Sequence, residues 1–229
     1  MRRLALLLLL LPAGYCRADA CDQLAPPSVV VKRLDEPFKV SAQYGFRVLS
    51  IMGDKIARPG SVVLGLTRGT ATVRFETRFL TVTDRSGQWE CASPQITMSY
   101  GFSPMTVFMA NEFQEGSCAY KEIYQHELRH VKAYQAHLVS IEKDLADTLT
   151  ARFATGGPAR SLPGEFRSRL QQELVERWTP FIKREMNKVD DAQRLIDTPE
   201  EYERVAGTCG GAIRKLTGQA SGAPPAPAR

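Results

Sequence analysis

All three histidines of the chain, His126, His130 and His137, fall within one short segment. The first two belong to Tyr124-Gln125-His126-Glu127-Leu128-Arg129-His130-Val131. On a helix, residues four apart share a face, so His126 and His130 stand one turn apart, roughly 6 Å along the axis. Two imidazoles so placed can share one metal ion. Glu127, directly after the first, stands where it can orient a water on that ion and take its proton. With Zn2+, whose bound water loses a proton near neutral pH, the chemistry would be hydrolytic.

This spacing works only on a helix, and the surrounding residues predict one over 117–147. Gly116-Ser117 marks its start, with Ser117 as the N-cap. Tyr124, Leu128, Val131, Leu138, Ile141 and Leu145 recur at helical spacing as an apolar stripe. The histidines lie just beside that stripe, on the boundary between core and solvent. The helix is expected to end by Thr155-Gly156-Gly157-Pro158.

The residues before the helix read as β-structure. Val29-Val30-Val31 and the stretches 45–52, 61–66, 70–83 and 95–113 are rich in valine, threonine, phenylalanine and isoleucine. Over residues 71–83 these alternate with Thr and Arg, as in a half-buried strand. Pro59-Gly60, Arg85-Ser86-Gly87 and Ser103-Pro104 read as turns, the last joining strands 96–102 and 105–112 into a hairpin. The residues after the helix read as more helix. A stripe of Phe166, Leu170, Leu174, Trp178, Ile182, Met186 and Val189 spans residues 161–196, with Pro180 expected to kink or split it. Thr198-Pro199-Glu200-Glu201 is a capping box that starts a third helix, expected to end at Gly207. The expected fold is therefore α+β: an antiparallel sheet over 28–113, then helices over 117–217.

Arg2, Arg3, an apolar run over residues 4–11 and Ala18-Asp19-Ala20 make residues 1–20 a secretory signal peptide, cut after Ala20. The run is too short to span a bilayer, and no later stretch reads as a transmembrane segment. A lipid anchor on Cys16 is disfavoured by the bulky Tyr15 before it. The mature chain is expected to be exported, periplasmic or secreted, with one domain over 21–217 and a disordered Pro/Ala-rich tail over 218–229. Loss of residues 1–20 leaves 27 basic against 24 acidic residues, too small and scattered a surplus for nucleic acid. Cys21, Cys91, Cys118 and Cys209 remain, an even number that predicts two disulfides in an oxidising compartment, with the pairing open. The glycines of Gly207-Thr208-Cys209-Gly210-Gly211 lack the lysine and the setting of a phosphate loop.

The 126–130 segment resembles the active-site helix of the zincin metallopeptidases, and more faintly the whole resembles small exported bacterial zincin-like proteins. That resemblance implies His126 and His130 as zinc ligands and Glu127 as general base. It implies a peptide or protein substrate in the cell envelope, held by strand addition at the edge of the 96–112 hairpin. Arg129 and Lys132 depart from the usual pattern, in which those positions are uncharged. The third ligand is open. In metzincin-like proteins it is a histidine six residues after the second, whereas His137 follows by seven, roughly 10 Å up an unbroken helix. In gluzincin-like proteins it is a downstream glutamate, for which Glu165, Glu173, Glu176, Asp197, Glu200, Glu201 and Glu203 are the acidic candidates. Tyr202 or Tyr134 could stabilise an oxyanion. The sequence thus predicts an exported zinc-dependent hydrolase, a metallopeptidase. The alternative is a non-catalytic envelope binding protein that retains the scaffold.

Overall fold

The computed structural model describes residues 20–54 and 62–218. Residues 1–19 of the expected signal peptide, the expected Pro59-Gly60 turn and residues 219–229 of the expected tail lie outside the described residues. The strands are β1 (Ser28–Arg33), β2 (Lys39–Ser41), β3 (Gly65–Thr83), β4 (Glu90–Met109) and β5 (Ala159–Ser161). The α-helices are α1 (Phe46–Gly53), α2 (Cys118–Phe153), α3 (Glu165–Glu173), α4 (Thr179–Asn187), α5 (Val189–Arg194) and α6 (Pro199–Thr217). Strands dominate the first half and helices the second, as expected.

The sheet is mixed rather than antiparallel. β3 and β4 form the expected antiparallel ladder, from Gly65↔Met109 to Thr83↔Glu90. On the other side of β4, β1 and β2 run parallel to it and β5 antiparallel. Alternation cannot tell a parallel neighbour from an antiparallel one, which is why the sequence misled here. The expected strand over 45–52 is instead the helix α1, Phe46–Gly53. The glutamate side chain of Glu112 accepts from the Phe46 N–H at 3.0 Å and so satisfies a donor at the start of that helix. No hairpin forms at Ser103-Pro104, because β4 runs unbroken from Glu90 to Met109. Ser103 and Pro104 instead face the single residue Thr70 in a bulge, a position in a strand where a residue without an N–H is tolerated. The real hairpin turn is at 84–89, where Asp84 accepts from the Trp89 and Ser86 N–H groups and Gly87 takes φ 72°.

Along β4 the side chains alternate. Ile96, Met98 and Tyr100 are buried beneath α2, and the Tyr100 hydroxyl donates to the Leu138 carbonyl at 2.8 Å. Gln95, Thr97 and Ser99 face the other side, opposite Arg78, Glu76 and Arg74 of β3. The predicted 161–196 helix is split. Pro180 has no N–H for the carbonyl four residues back, and the chain takes a π-turn at Leu174–Trp178 just before it. The α6 helix begins at the predicted cap, with Thr198 accepting from the Glu201 N–H at 3.2 Å. It breaks after Gly207, at residues 208–211, then resumes to Thr217.

Candidate metal centre

α2 is built as its sequence requires, with Ser117 Oγ accepting from the Tyr120 N–H at 3.2 Å. Its buried face differs from the predicted stripe. Tyr124 and Leu128 are only half-buried, and Ala119, Ile123, Glu127, His130 and Val131 turn inward. Glu127 therefore occupies a core position, 2% exposed. The Thr67 hydroxyl of β3 donates to its Oε2 at 2.7 Å. Gly65, two residues earlier on β3, makes the room: a Cβ there would lie 2.5 Å from Glu127 Oε1. Burial raises the Glu127 pKa above the ordinary carboxylate value, only partly offset by His130, His126 and the Thr67 hydrogen bond.

The two histidines converge. His126 Nε2 and His130 Nε2 are 3.2 Å apart. Asp197 Oδ1, from the segment between α5 and α6, lies 3.1 Å from the first and 3.2 Å from the second. Donors about 2.0–2.1 Å from a tetrahedral ion stand about 3.3–3.4 Å from one another, close to this triangle. A carboxylate oxygen of Glu127 and one ring nitrogen of each histidine also lie within 4.8 Å of one another. The His126, Glu127 and His130 cluster can hold a metal ion.

A second layer orients the rings. Gln193 Nε2 donates to the His130 carbonyl at 3.2 Å, which turns its Oε1 toward His130 Nδ1 at 2.5 Å. Because that oxygen can only accept, Nδ1 carries the hydrogen and Nε2 presents its lone pair. On His126, Nδ1 lies 3.3 Å from Glu201 Oε1 and 2.8 Å from Arg129 Nη2. Arg129 and Glu201 are themselves paired, and Arg204 holds the same carboxylate. Arg204, then Arg129 and His126, keep the Glu201 carboxyl well below its usual range, at about 2. Burial pushes Asp197 up, but the His126 and His130 rings beside it outweigh that and hold its carboxyl below the usual range. For His130, burial favours the neutral ring, but Asp197 and Glu127 together raise its pKa. Without a cation, one proton on the histidine pair can bridge part of the triangle. A cation satisfies all three atoms at once.

No family model, curated protein or solved structure matches this chain.

Among the sequence candidates for a further ligand, only Asp197 lies in direct contact with both Nε2 atoms. α2 continues unbroken through His137, whose Nε2 instead meets the Glu185 carbonyl at 2.8 Å. Glu173 pairs with Arg152, Glu165 with Arg169, Glu203 with Arg214, and Glu176 accepts from Gln172. Glu201 stands behind His126. Sequence reasoning missed Thr67, Gly65 and Gln193, because nothing local marks a residue whose role is set by a partner sixty or more positions away. Asp197 did carry a signal: it immediately precedes the capping box, so its backbone direction is fixed by the helix start.

Proposed function

We propose that this chain is an exported zinc-dependent hydrolase, a metallopeptidase of zincin-like design. The observation that carries the reading is the triangle of His126 Nε2, His130 Nε2 and Asp197 Oδ1, with edges of 3.1–3.2 Å. Two imidazoles and one carboxylate suit zinc with three protein ligands and a fourth position for water. Bound there, zinc would lower the pKa of that water and polarise a substrate carbonyl.

The chain's own groups supply the rest. Glu127 is the general base: it takes the proton of the attacking water and passes it to the leaving amine. Thr67 holds its carboxylate on the side away from solvent. Tyr202, whose ring centroid is 6.4 Å from that of His126, is a candidate to donate to a developing oxyanion. β3 supports a peptide substrate better than the 96–112 segment first expected. Among the described residues it pairs with β4 alone, and it carries Thr67 beside the base. The edge opposite β4 is where an added strand would pair. Two disulfides support an oxidising compartment, and no helix among the described residues is long and apolar enough to cross a membrane.

Glu127→Gln separates catalysis from metal binding. The variant should retain zinc and lose at least about a hundredfold of its peptide hydrolysis, the range general bases contribute. Unchanged hydrolysis of a casein or peptide-library substrate would rule out the peptidase mechanism.

A further inference from the structure

The two disulfides differ in exposure and in what they join. Cys21–Cys91 is buried, at 8% and 0% exposure, and ties the segment before β1 to β4. Cys118–Cys209 is exposed at Cys118 and half-buried at Cys209. It links the first residue of α2 to the break in α6.

The first part of α6 runs back along α2. Asp197 reaches His126 and His130, and Glu201 reaches His126 and Arg129. Arg204 pairs with Glu122 at 3.0 Å, and Cys209 closes the series on Cys118. The Arg204–Glu122 pair is half open to water, and such pairs hold little. Val205 and Ala206 are the buried residues of this part of α6. Cys209 also sits at φ 57°, a left-handed conformation unfavourable for a residue with a Cβ, and is followed by Gly210 and Gly211 in the same region. The covalent link therefore fixes the far end of the segment that delivers Asp197 and Glu201.

We propose that Cys118–Cys209 is a thiol-exchangeable latch on the metal centre; this rests on the metal-site reading. A dithiol reductant opens it. One reductant thiolate attacks Sγ of Cys118, forming a mixed disulfide and expelling the Cys209 thiolate. The second reductant thiol then displaces the Cys118 thiolate, leaving the reductant as a disulfide. Two electrons pass to the cysteine pair, and the two protons given up by the reductant match those taken by the cysteines. Once opened, the α6 segment relaxes at residues 208–211, Asp197 and Glu201 lose their fixed position, and the centre releases its metal.

The test uses the full mature chain. It is treated with graded dithiothreitol, alkylated with iodoacetamide and freed of reductant, and mass spectrometry identifies the opened disulfide. Zinc affinity is then measured for the oxidised chain, the singly reduced chain and the Cys118→Ser/Cys209→Ser double variant. The latch predicts that Cys118–Cys209 opens first. Zinc affinity should fall by about tenfold or more in both altered forms, the scale seen when support behind a ligand is lost. Hydrogen exchange over residues 197–209 should quicken on reduction even without zinc, which keeps the test decisive if the double variant folds poorly. Affinity and exchange unchanged in the singly reduced chain, or Cys21–Cys91 opening first, would overturn the latch. An oxidised chain that takes up no zinc would overturn the metal reading and the latch with it, whereas zinc bound equally in all forms would overturn the latch alone.

Discussion

Gln193 grips His130 from two sides, donating from Nε2 to its backbone carbonyl at 3.2 Å and accepting at Oε1 from its Nδ1 at 2.5 Å. The backbone contact fixes which way the amide points, and the amide in turn fixes which ring nitrogen carries the hydrogen. A residue on α5 thereby decides that His130 offers Nε2 toward His126 and Asp197.

Gln193→Leu keeps the bulk and removes both contacts. Its zinc affinity should fall by about 10–100-fold, with the metal still bound at saturating concentration. Isothermal titration with zinc checks this, and an unchanged affinity would show that His130 is oriented by other means.

Gly65→Ala places a Cβ where Glu127 Oε1 now sits. Neither side has room: Glu127 is buried and tied to Thr67. Overpacking at such a point costs about 1–3 kcal/mol, so urea unfolding should show a lower midpoint with the slope unchanged. A midpoint equal to wild type would mean that Glu127 moves freely, against its assignment as a held base.

The route from sequence to site was uneven, for reasons the structure makes plain. His126, Glu127 and His130 were legible because a one-turn spacing is a local property. The start of α2 at Ser117 and of α6 at Thr198 were legible for the same reason, since caps are read within four residues. The rotation of α2 differs from what its apolar spacing predicts. Glu127 counted as polar in the periodicity, yet it takes a core position because Thr67 and Gly65 of a distant strand accommodate it. The parallel pairing of β1 and β2 with β4 and the choice of Asp197 over the neighbouring carboxylates are set by tertiary contacts, which spacing does not encode. The cysteine pairing was likewise open until Cys21 met Cys91 and Cys118 met Cys209.

Away from the metal centre, Glu173 gives a pH signature. Arg152 holds its carboxylate by two hydrogen bonds, at 2.8 and 2.6 Å, and Trp178 Nε1 donates to it at 3.1 Å. The Arg152 hydrogen bond leads in lowering its pKa below 4.5 despite partial burial. A carboxyl depressed on folding stabilises the fold above its unfolded pKa and loses that contribution as pH falls through the folded value. Glu173→Gln should therefore lower stability at pH 7 by about 1 kcal/mol, since Arg152 is half-exposed and water screens the pair. The gap should close on acidification below the ordinary carboxylate range. Thermal unfolding at pH 7 and pH 3 measures it; a gap that widened in acid would contradict the assigned ion pair.

The central claim is that His126, His130 and Asp197 together hold one metal ion. Its most direct test is zinc content per chain in the purified oxidised protein, beside His130→Ala and Asp197→Ala, each checked for folding by circular dichroism. The account predicts about one zinc per wild-type chain, lost in His130→Ala and weakened by at least about a hundredfold in Asp197→Ala, as expected when one of three protein ligands is removed. Wild-type protein that takes up no zinc when zinc is offered, or an Asp197→Ala variant that binds it as tightly as wild type, would contradict the account.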